Sequence, residues 1–331
     1  MENYKHDIAA YAGYLKDNKE LLECTSGGIA TALAKSIIQQ GGVVAGVSYS
    51  KDFYKAEYVI IDKLNDIDKL KGSKYIEVDK GNIFKDVKER LEEGQKVLFF
   101  GLPCMVGAMR RFLNKAYENF IAVELICHGP TSQKVHQQYV EMLEKKYNSK
   151  IVDFSVRKKN GRWTPAYLYA KFENGKVFQE EFYSTEYGYA FSIMSRPSCY
   201  NCQFRGDKRE GDIMIGDFWG ASPKDSFWNE NGLSAILVHT EKGNELLKSV
   251  DSIALYKTTD EKIIKGNQNI IKTRAVNPSR EKFAKLFAEH DLFYAVKHTK
   301  KITTRIKEFI KKIVPDSLKP FVRKIYHLIR G

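Results

Sequence analysis

The sequence predicts an α/β protein: a mixed sheet with flanking helices, α+β elements in its middle, and amphipathic helices at its carboxyl end. Three observations carry that prediction. Apolar strand, glycine-containing turn and helix succeed one another over the first half of the chain, the pattern of strands covered by helices. Short strands around a hairpin turn interrupt this pattern between residues 151 and 182. Two turns that close apolar strands carry cysteines, and in α/β sheets ligands sit beyond the carboxyl ends of the strands.

Taken in order, the first clear element is a helix from Thr25-Ser26-Gly27-Gly28, with one apolar face at Ile29, Ala30, Leu33, Ile37 and Ile38. Thr25 or Ser26 is expected to cap it, and Gly41-Gly42 to stop it. Strands follow at Val43–Tyr49 and Glu57–Ile61, then a short helix from about Asp66 leads into Lys71-Gly72-Ser73-Lys74-Tyr75. Residues 82–93 read as an amphipathic helix. The apolar strand 96–100 ends in the turn Gly101-Leu102-Pro103-Cys104, and a helix runs on through Leu113. A second apolar strand, Phe120 to Ile126, ends in Cys127-His128-Gly129-Pro130, with a helix from Ser132. In the middle, 151–156, 166–172 and 176–182 are short strands, the last two joined at Glu173-Asn174-Gly175. A helical stretch at 186–194 precedes Cys199-Tyr200-Asn201-Cys202. The run Asp212 to Gly220 passes from strand to glycine-rich turn, followed by a strand at 233–239 and a helix at 243–250.

The 331 residues suffice for one large domain or two small ones. No run approaches the roughly 18 residues of a spanning helix, and the polar start MENYKHDIAAYAGY lacks the pattern of a signal peptide. The expected location is therefore the cytoplasm. The formal charge of +13 is uneven, because residues 300–331 hold ten Lys or Arg against two acidic residues. That distribution argues for a basic tail and against a nucleic-acid-binding domain. We accordingly divide the chain into a body, 1–295, and a tail, 296–331.

In a reducing cytoplasm five cysteines do not make a disulfide framework, so those that cluster point to metal ligation or redox chemistry. Cys199 and Cys202 form a C-x-x-C pair, and Cys104 and Cys127 close what read as neighbouring strands. Four such thiolates suit zinc or an iron–sulfur cluster equally. Cys24 precedes a helix start and reads as a bystander thiol.

SGGIATALA, GSKY, KVLFFGLPCMVGAMRRFL, VELICHGPTS, RPSCYNCQF and GDIMIGDFWG stand in this order along residues 20–250. On these motifs the chain resembles the coenzyme F420 hydrogenase/dehydrogenase beta-subunit family, whose bacterial members include many tied to polysaccharide biosynthesis. The resemblance implies an oxidoreductase with a flavin, FAD more often than FMN, and a 4Fe–4S cluster on Cys104, Cys127, Cys199 and Cys202. It assigns Thr25, Ser26, Gly27 and Gly28 to the flavin, where a helix start suits a phosphate, with Ser73 and Lys74 as a second flavin contact. His128, beside a cluster ligand, is the candidate proton-handling residue. Asp217 is expected to orient a loop, and Trp219 to lie in the core.

Two departures from the family pattern bear on partners. Many bacterial relatives place a ferredoxin-like segment ahead of this region, whereas about 20 residues precede it here. Electrons are then expected from a separate ferredoxin, another subunit or a diffusible carrier. Met105-Val106 follows Cys104 where relatives more often have a polar residue, which leaves deazaflavin use open.

The tail repeats apolar residues at Ile306, Phe309, Ile310 and Ile313, and beyond Pro315 at Leu318, Phe321, Val322 and Ile325, with Lys and Arg between them. It suits an anionic membrane surface or packing on the body or a partner. The expected reaction passes electrons between a carrier and an organic, sugar- or lipid-linked substrate. Its rivals are an electron-transfer subunit without a substrate site and a zinc-bound scaffold.

Overall fold

The computed structural model describes residues 9–206 and 208–301. The tail and its membrane expectation lie outside the described residues from 302 onward. In chain order the strands are β1 Ala9–Leu15, β2 Val43–Tyr49, β3 Ala56–Ile61, β4 Val78–Asp79, β5 Val97–Gly101, β6 Phe120–Leu125, β7 Ile151–Lys158, β8 Tyr167–Phe172, β9 Val177–Glu181, β10 Ile213–Asp217, β11 Ser234–Val238 and β12 Ile253–Lys257. The helices are α1 Asn18–Glu23, α2 Ile29–Gln39, α3 Ile67–Leu70, α4 Ile83–Glu92, α5 Pro103–Leu113, α6 Gln133–Tyr147, α7 Glu186–Ile193, α8 Glu241–Lys248, α9 Asp260–Gly266, α10 Arg280–Glu289 and α11 Leu292–Thr299. Beyond the elements expected from the sequence stand β1, β4, β12, α1 and α9 to α11. The division at 295/296 falls within α11.

A nine-stranded mixed sheet runs in the order β12-β1-β11-β10-β6-β5-β2-β3-β4, and β7-β8-β9 form a small antiparallel sheet. Four central strands are parallel: β2 with β5, β5 with β6, and β6 with β10. Their carboxyl ends therefore line one edge. Antiparallel pairing of β10 with β11 and of β11 with β1 brings Leu15, the end of β1, to the same edge.

Alternation along these strands fills both faces. Val97, Phe99, Phe120 and Ala122 pack under α4 and α5, while Leu98, Phe100, Ile121 and Val123 join the core beneath α2. A sheet covered on both faces reads as continuous apolar runs, which is why β5 and β6 stand out in the sequence. The small sheet closes over α6, α7, α10 and α11 through Phe154, Leu168, Phe172, Tyr187 and Phe283.

Helix starts follow the chemistry of their first residues. Ser132 caps α6 by accepting from Val135 N–H at 3.4 Å, and Thr185 caps α7 through Gly188 N–H at 3.0 Å. Pro103 opens α5, where its missing N–H costs nothing. The expected cap of α2 is different. Gly28 takes the N-cap position without a side-chain bond, and Ser26 Oγ instead donates to Leu233 O at 3.0 Å. The Ser26 hydroxyl is drawn to the carbonyls of Leu233, which also accepts from Phe218 N–H, and Gly216 at the sheet edge rather than to the helix.

Candidate functional site

Neighbouring β5 and β6 set Cys104 and Cys127 side by side beyond the sheet. Ile126 N–H still donates to Ile215 O at 2.8 Å, so the strand geometry persists to the residue before Cys127. The chain then turns at Gly129 with φ +107, a conformation closed to most side chains. A Cβ on Gly129 would stand 2.9 Å from Ser195 Oγ and 3.5 Å from Cys199 Sγ. This glycine thus lets the Cys127 loop lie against the turn Pro197–Asn201 that carries Cys199, with Cys202 at its end.

All five cysteines are free thiols. Burial pushes the Cys127 thiol up to about 12; Gly129 N–H and Arg205 oppose the shift, and Cys104 and Cys199 are near enough to add to it. Arg196 approaches Cys104 Sγ with its Nη2 at 3.7 Å, and its charge lies within electrostatic reach of Cys199. The structure therefore brings Cys104, Cys127 and Cys199 together, and Cys202 follows on the same turn as Cys199.

Arginines frame this loop cluster. Arg205 donates to Cys127 O at 2.7 Å, and Asn269 donates to the same carbonyl at 2.8 Å. Arg274 donates to Phe191 O, Ser192 O and Ser195 Oγ, and Arg280 to Ser195 O. His128 Nδ1 lies 3.4 Å from Arg274 Nη1, and the ring stacks on Phe191 at 5.5 Å. Lost hydration on that stacked face, then the Arg274 and Arg205 cations, push its pKa down to about 4, although the residue as a whole still reaches solvent.

The donor set fits a 4Fe–4S cluster: four thiols from two strand ends and one turn, within a cationic frame able to offset the charge of a thiolate-bound cluster. A single tetrahedral zinc would need sulfurs roughly 3.8 Å apart, from Zn–S bonds of about 2.3 Å. Among the described residues no three His, Cys, Asp or Glu side chains form a group able to hold one ion.

The glycine loop lies two strands away. Gly27 is wedged between β1 and β11, where a Cβ would meet Gly13 O at 2.2 Å and Ser234 N at 2.7 Å. Gly28 has φ +75, and its Cβ would meet Leu15 Cδ1 at 2.4 Å. Both glycines are thus required for packing, and they leave the first turn of α2 without a side-chain cap, its N–H groups suited to an anion. Thr25 and Ser26 are half-buried beside it. Lys159 Nζ reaches Ser26 O at 2.7 Å and Leu21 O at 2.6 Å, and burial pushes its pKa down to about 8.

These two loops meet at the end of β10. Ser26 Oγ donates to Gly216 O at 3.3 Å, and a Cβ on Gly216 would stand 2.7 Å from the side chain of Ile126, next to Cys127. One residue on, Asp217 pairs with Arg157 and accepts from Trp163 Nε1 at 2.9 Å. Tyr75 lies within electrostatic reach of the Arg157 guanidinium. Asp217 holds the small sheet and the main sheet together at the site. Trp219, expected in the core, is 51 % exposed, because β10 ends at Asp217 and carries the following turn out of the sheet.

Ser73 is half-buried, and Lys74 has found other partners than the glycine loop. Its Nζ donates to the carbonyls of Lys69, Leu70 and Lys71 at the end of α3, and burial pushes its pKa down to about 7. Its Nζ is thus turned to these carbonyls and not to the glycine loop. Cys24 is buried, with its Sγ donating to Thr31 Oγ1 at 3.3 Å.

Arg157, Lys159, Trp163, Arg205 and Arg274 carry no motif that singles them out in the sequence, whereas Arg196 opens the motif RPSCYNCQF. Arg196 and Arg205 do flank the cysteine pair directly, and that adjacency is the available signal. At the opposite end of β10 a polar cavity of about 330 Å³ is lined by Arg110, Glu210, Asp212 and Lys242 among others. Asp212 is already matched there by Arg110, Thr240 and Ala122 N–H. Among the described residues no helix is long and apolar enough to cross a membrane.

Comparison with known proteins adds the following. Residues 10–81 match the N-terminal part, and residues 94–262 the C-terminal part, of the family described as coenzyme F420 hydrogenase/dehydrogenase, beta subunit. A chain from a xenon-derivatised F420-reducing [NiFe] hydrogenase complex of Methanosarcina barkeri shares the fold at a TM-score of 0.53 and 19% identity, over 88% of this chain and 90% of that one. No curated protein matches the sequence.

Proposed function

The chain belongs to the coenzyme F420 hydrogenase/dehydrogenase beta-subunit family, and on that premise we propose that it is a flavin- and 4Fe–4S-dependent oxidoreductase moving electrons between a carrier and an organic substrate in the cytoplasm. One observation carries the reading. The uncapped start of α2 and the cysteine loops converge on Gly216, at the carboxyl ends of β10, β6 and β5, where ligands of α/β sheets bind.

When bound, a flavin supplies hydride exchange with an organic partner and a cluster supplies single-electron transfer. The protein's part is positioning and electrostatics. The first-turn N–H groups of α2 hold a phosphate of FAD or FMN, with Lys159 adding charge from behind Ser26. Cys104, Cys127, Cys199 and Cys202 hold the cluster, and the arginine frame fixes the loops that present them. Arginine only donates, so where His128 Nδ1 accepts from Arg274 the neutral ring keeps its hydrogen on Nε2, which offers a hydrogen bond to a bound substrate. Lys74, turned to the carbonyls at the end of α3, braces the Gly72-Ser73 turn beside the site.

The electron partner is a ferredoxin, another subunit or a deazaflavin-type carrier. Anaerobic mixing of the flavin-loaded protein with reduced ferredoxin, and separately with reduced coenzyme F420, tests this. Bleaching of the flavin absorbance by at least one donor is expected. Inertness toward both would contradict carrier-linked turnover by the isolated chain. The family's description as beta subunits supports a second reading, an electron-transfer subunit whose substrate site lies in a partner chain. In that case reduction proceeds, but organic substrate turns over only when the partner is present.

A further inference from the structure

The chain has three tryptophans, and all three meet at the carboxyl end of β10. Trp163 and Trp219 stack with ring centroids 4.9 Å apart and planes inclined by 12°. Trp228 lies 5.9 Å from Trp163 at 49°. Residues so far apart in sequence converge on one spot, yet the outermost indole is left half in water. Trp163 itself is buried, pinned through Nε1 to Asp217 and through its backbone N–H to Glu230 O at 2.8 Å.

The backbone beneath Trp219 is clamped as well. A Cβ on Gly266 would stand 2.0 Å from Gly220 N and 2.5 Å from the carbonyl carbon of Trp219. The Arg157 guanidinium lies 5.8 Å from the Trp219 ring centroid. An exposed indole held this firmly has already lost its conformational freedom, which is what a rigid aromatic contact surface requires. It stands three residues beyond Gly216, where the glycine loop and the cysteine loop meet.

We propose that Trp219 is a stacking platform for the planar tricyclic ring of a flavin-type ligand, with Trp163, Trp228, Asp217 and Arg157 as its rigid support. The inference rests on the flavin-dependent reading above and deepens it by naming the ring-contact residue. An indole face is electron-rich and takes a flat, electron-poor ring by offset stacking. A sugar on the same platform would look for free carboxylates to read its hydroxyls. Both oxygens of Asp217, the nearest in sequence, are committed to Arg157 and Trp163. The ring belongs either to a resident flavin or to a diffusing deazaflavin, and the chemistry of stacking is common to both.

The test uses full-length wild type, Trp219→Ala and Trp219→Phe, stripped of flavin and titrated with FAD and with 5-deazariboflavin, following quenching of tryptophan fluorescence. Trp163 and Trp228 remain as reporters in the variants. The expected result is a dissociation constant raised roughly tenfold in Trp219→Ala for at least one ring, with Trp219→Phe within about threefold of wild type, the loss that removal of one ring stack brings. Weakening for FAD identifies the resident flavin as the stacked ring. Weakening for 5-deazariboflavin alone identifies the diffusing carrier. Equal binding of both rings by Trp219→Ala and wild type overturns the platform and leaves the flavin reading intact. A wild type that binds neither ring overturns both.

Discussion

Arg196 sits beside two of the proposed ligands, donating to Cys104 Sγ at 3.7 Å with Cys199 within electrostatic reach of the same guanidinium. Donors and positive charge at cluster sulfurs favour the more negative, reduced state. In the reconstituted protein, Arg196→Gln is therefore expected to shift the cluster to a more negative reduction potential, measured by a redox titration followed by electron paramagnetic resonance. An unchanged potential with full iron content would remove Arg196 from that role. Lys159 gives a pH prediction. Burial holds its pKa at about 8 against an ordinary 10.5, so between these values the unfolded chain binds more protons and stability rises with pH. Cys24 is buried beside it with a raised thiol pKa and acts in the opposite sense. The difference between wild type and Lys159→Met in urea midpoints across pH 8 to 10.5 isolates the lysine, and parallel curves would contradict the assignment. The cysteines stood out in the sequence as a C-x-x-C pair and two residues closing apolar strands. Arg205, Arg274 and Lys159 did not, because they act by donating to backbone carbonyls brought near only by folding.

Elements announced themselves where one residue type dominated. Val97 to Gly101 and Phe120 to Leu125 are apolar runs buried on both faces, and nothing but an interior strand fits them. Phe99, fully buried and stacked on Tyr58 at 5.5 Å, makes the packing testable. Phe99→Ala is expected to cost about 3–5 kcal/mol, read as a lowered midpoint in chemical denaturation, and a change below about 1 kcal/mol would mean the strand is not interior. By contrast β1 is Ala-Ala-Tyr-Ala-Gly-Tyr-Leu. Its small residues carry little strand signal, and at Gly13 a Cβ would meet the side chains of Ile236 at 2.9 Å and Leu255 at 3.0 Å on the flanking strands. The short β12 and the polar α10 gave no stronger sign. Turn chemistry was half readable: Gly129 was visible, but the reason for it, the approach of Cys199, is tertiary. Gly129→Ala is expected to cost about 1–3 kcal/mol of backbone strain and to lower iron retention. Gly161→Ala, also at positive φ but with nothing within 4 Å, is the control and should keep its iron. Equal iron in both variants would contradict the packing argument.

Across the whole molecule, the mixed sheet gathers onto one edge the ends of β1, β10, β6 and β5, and with them most of the residues that the family motifs single out. The α/β class and the mixed sheet were legible from the strand–turn–helix rhythm, since burial of one face after another dictates it. The strand order was not, because β10 and β11 insert between β1 and β6 from a distant part of the chain. That insertion is what carries Asp217 and Trp219 between the glycine loop and the cysteines. The central claim is that these cysteines hold one 4Fe–4S cluster beside a flavin. Iron, sulfide, zinc and flavin assays on one anaerobically purified sample test it most directly, together with its visible spectrum. Expected are a brown protein with roughly four irons and matching sulfide per chain, a releasable flavin, and loss of the iron in Cys127→Ser. A colourless, zinc-loaded, flavin-free protein that stays so after cluster reconstitution and flavin addition would contradict it.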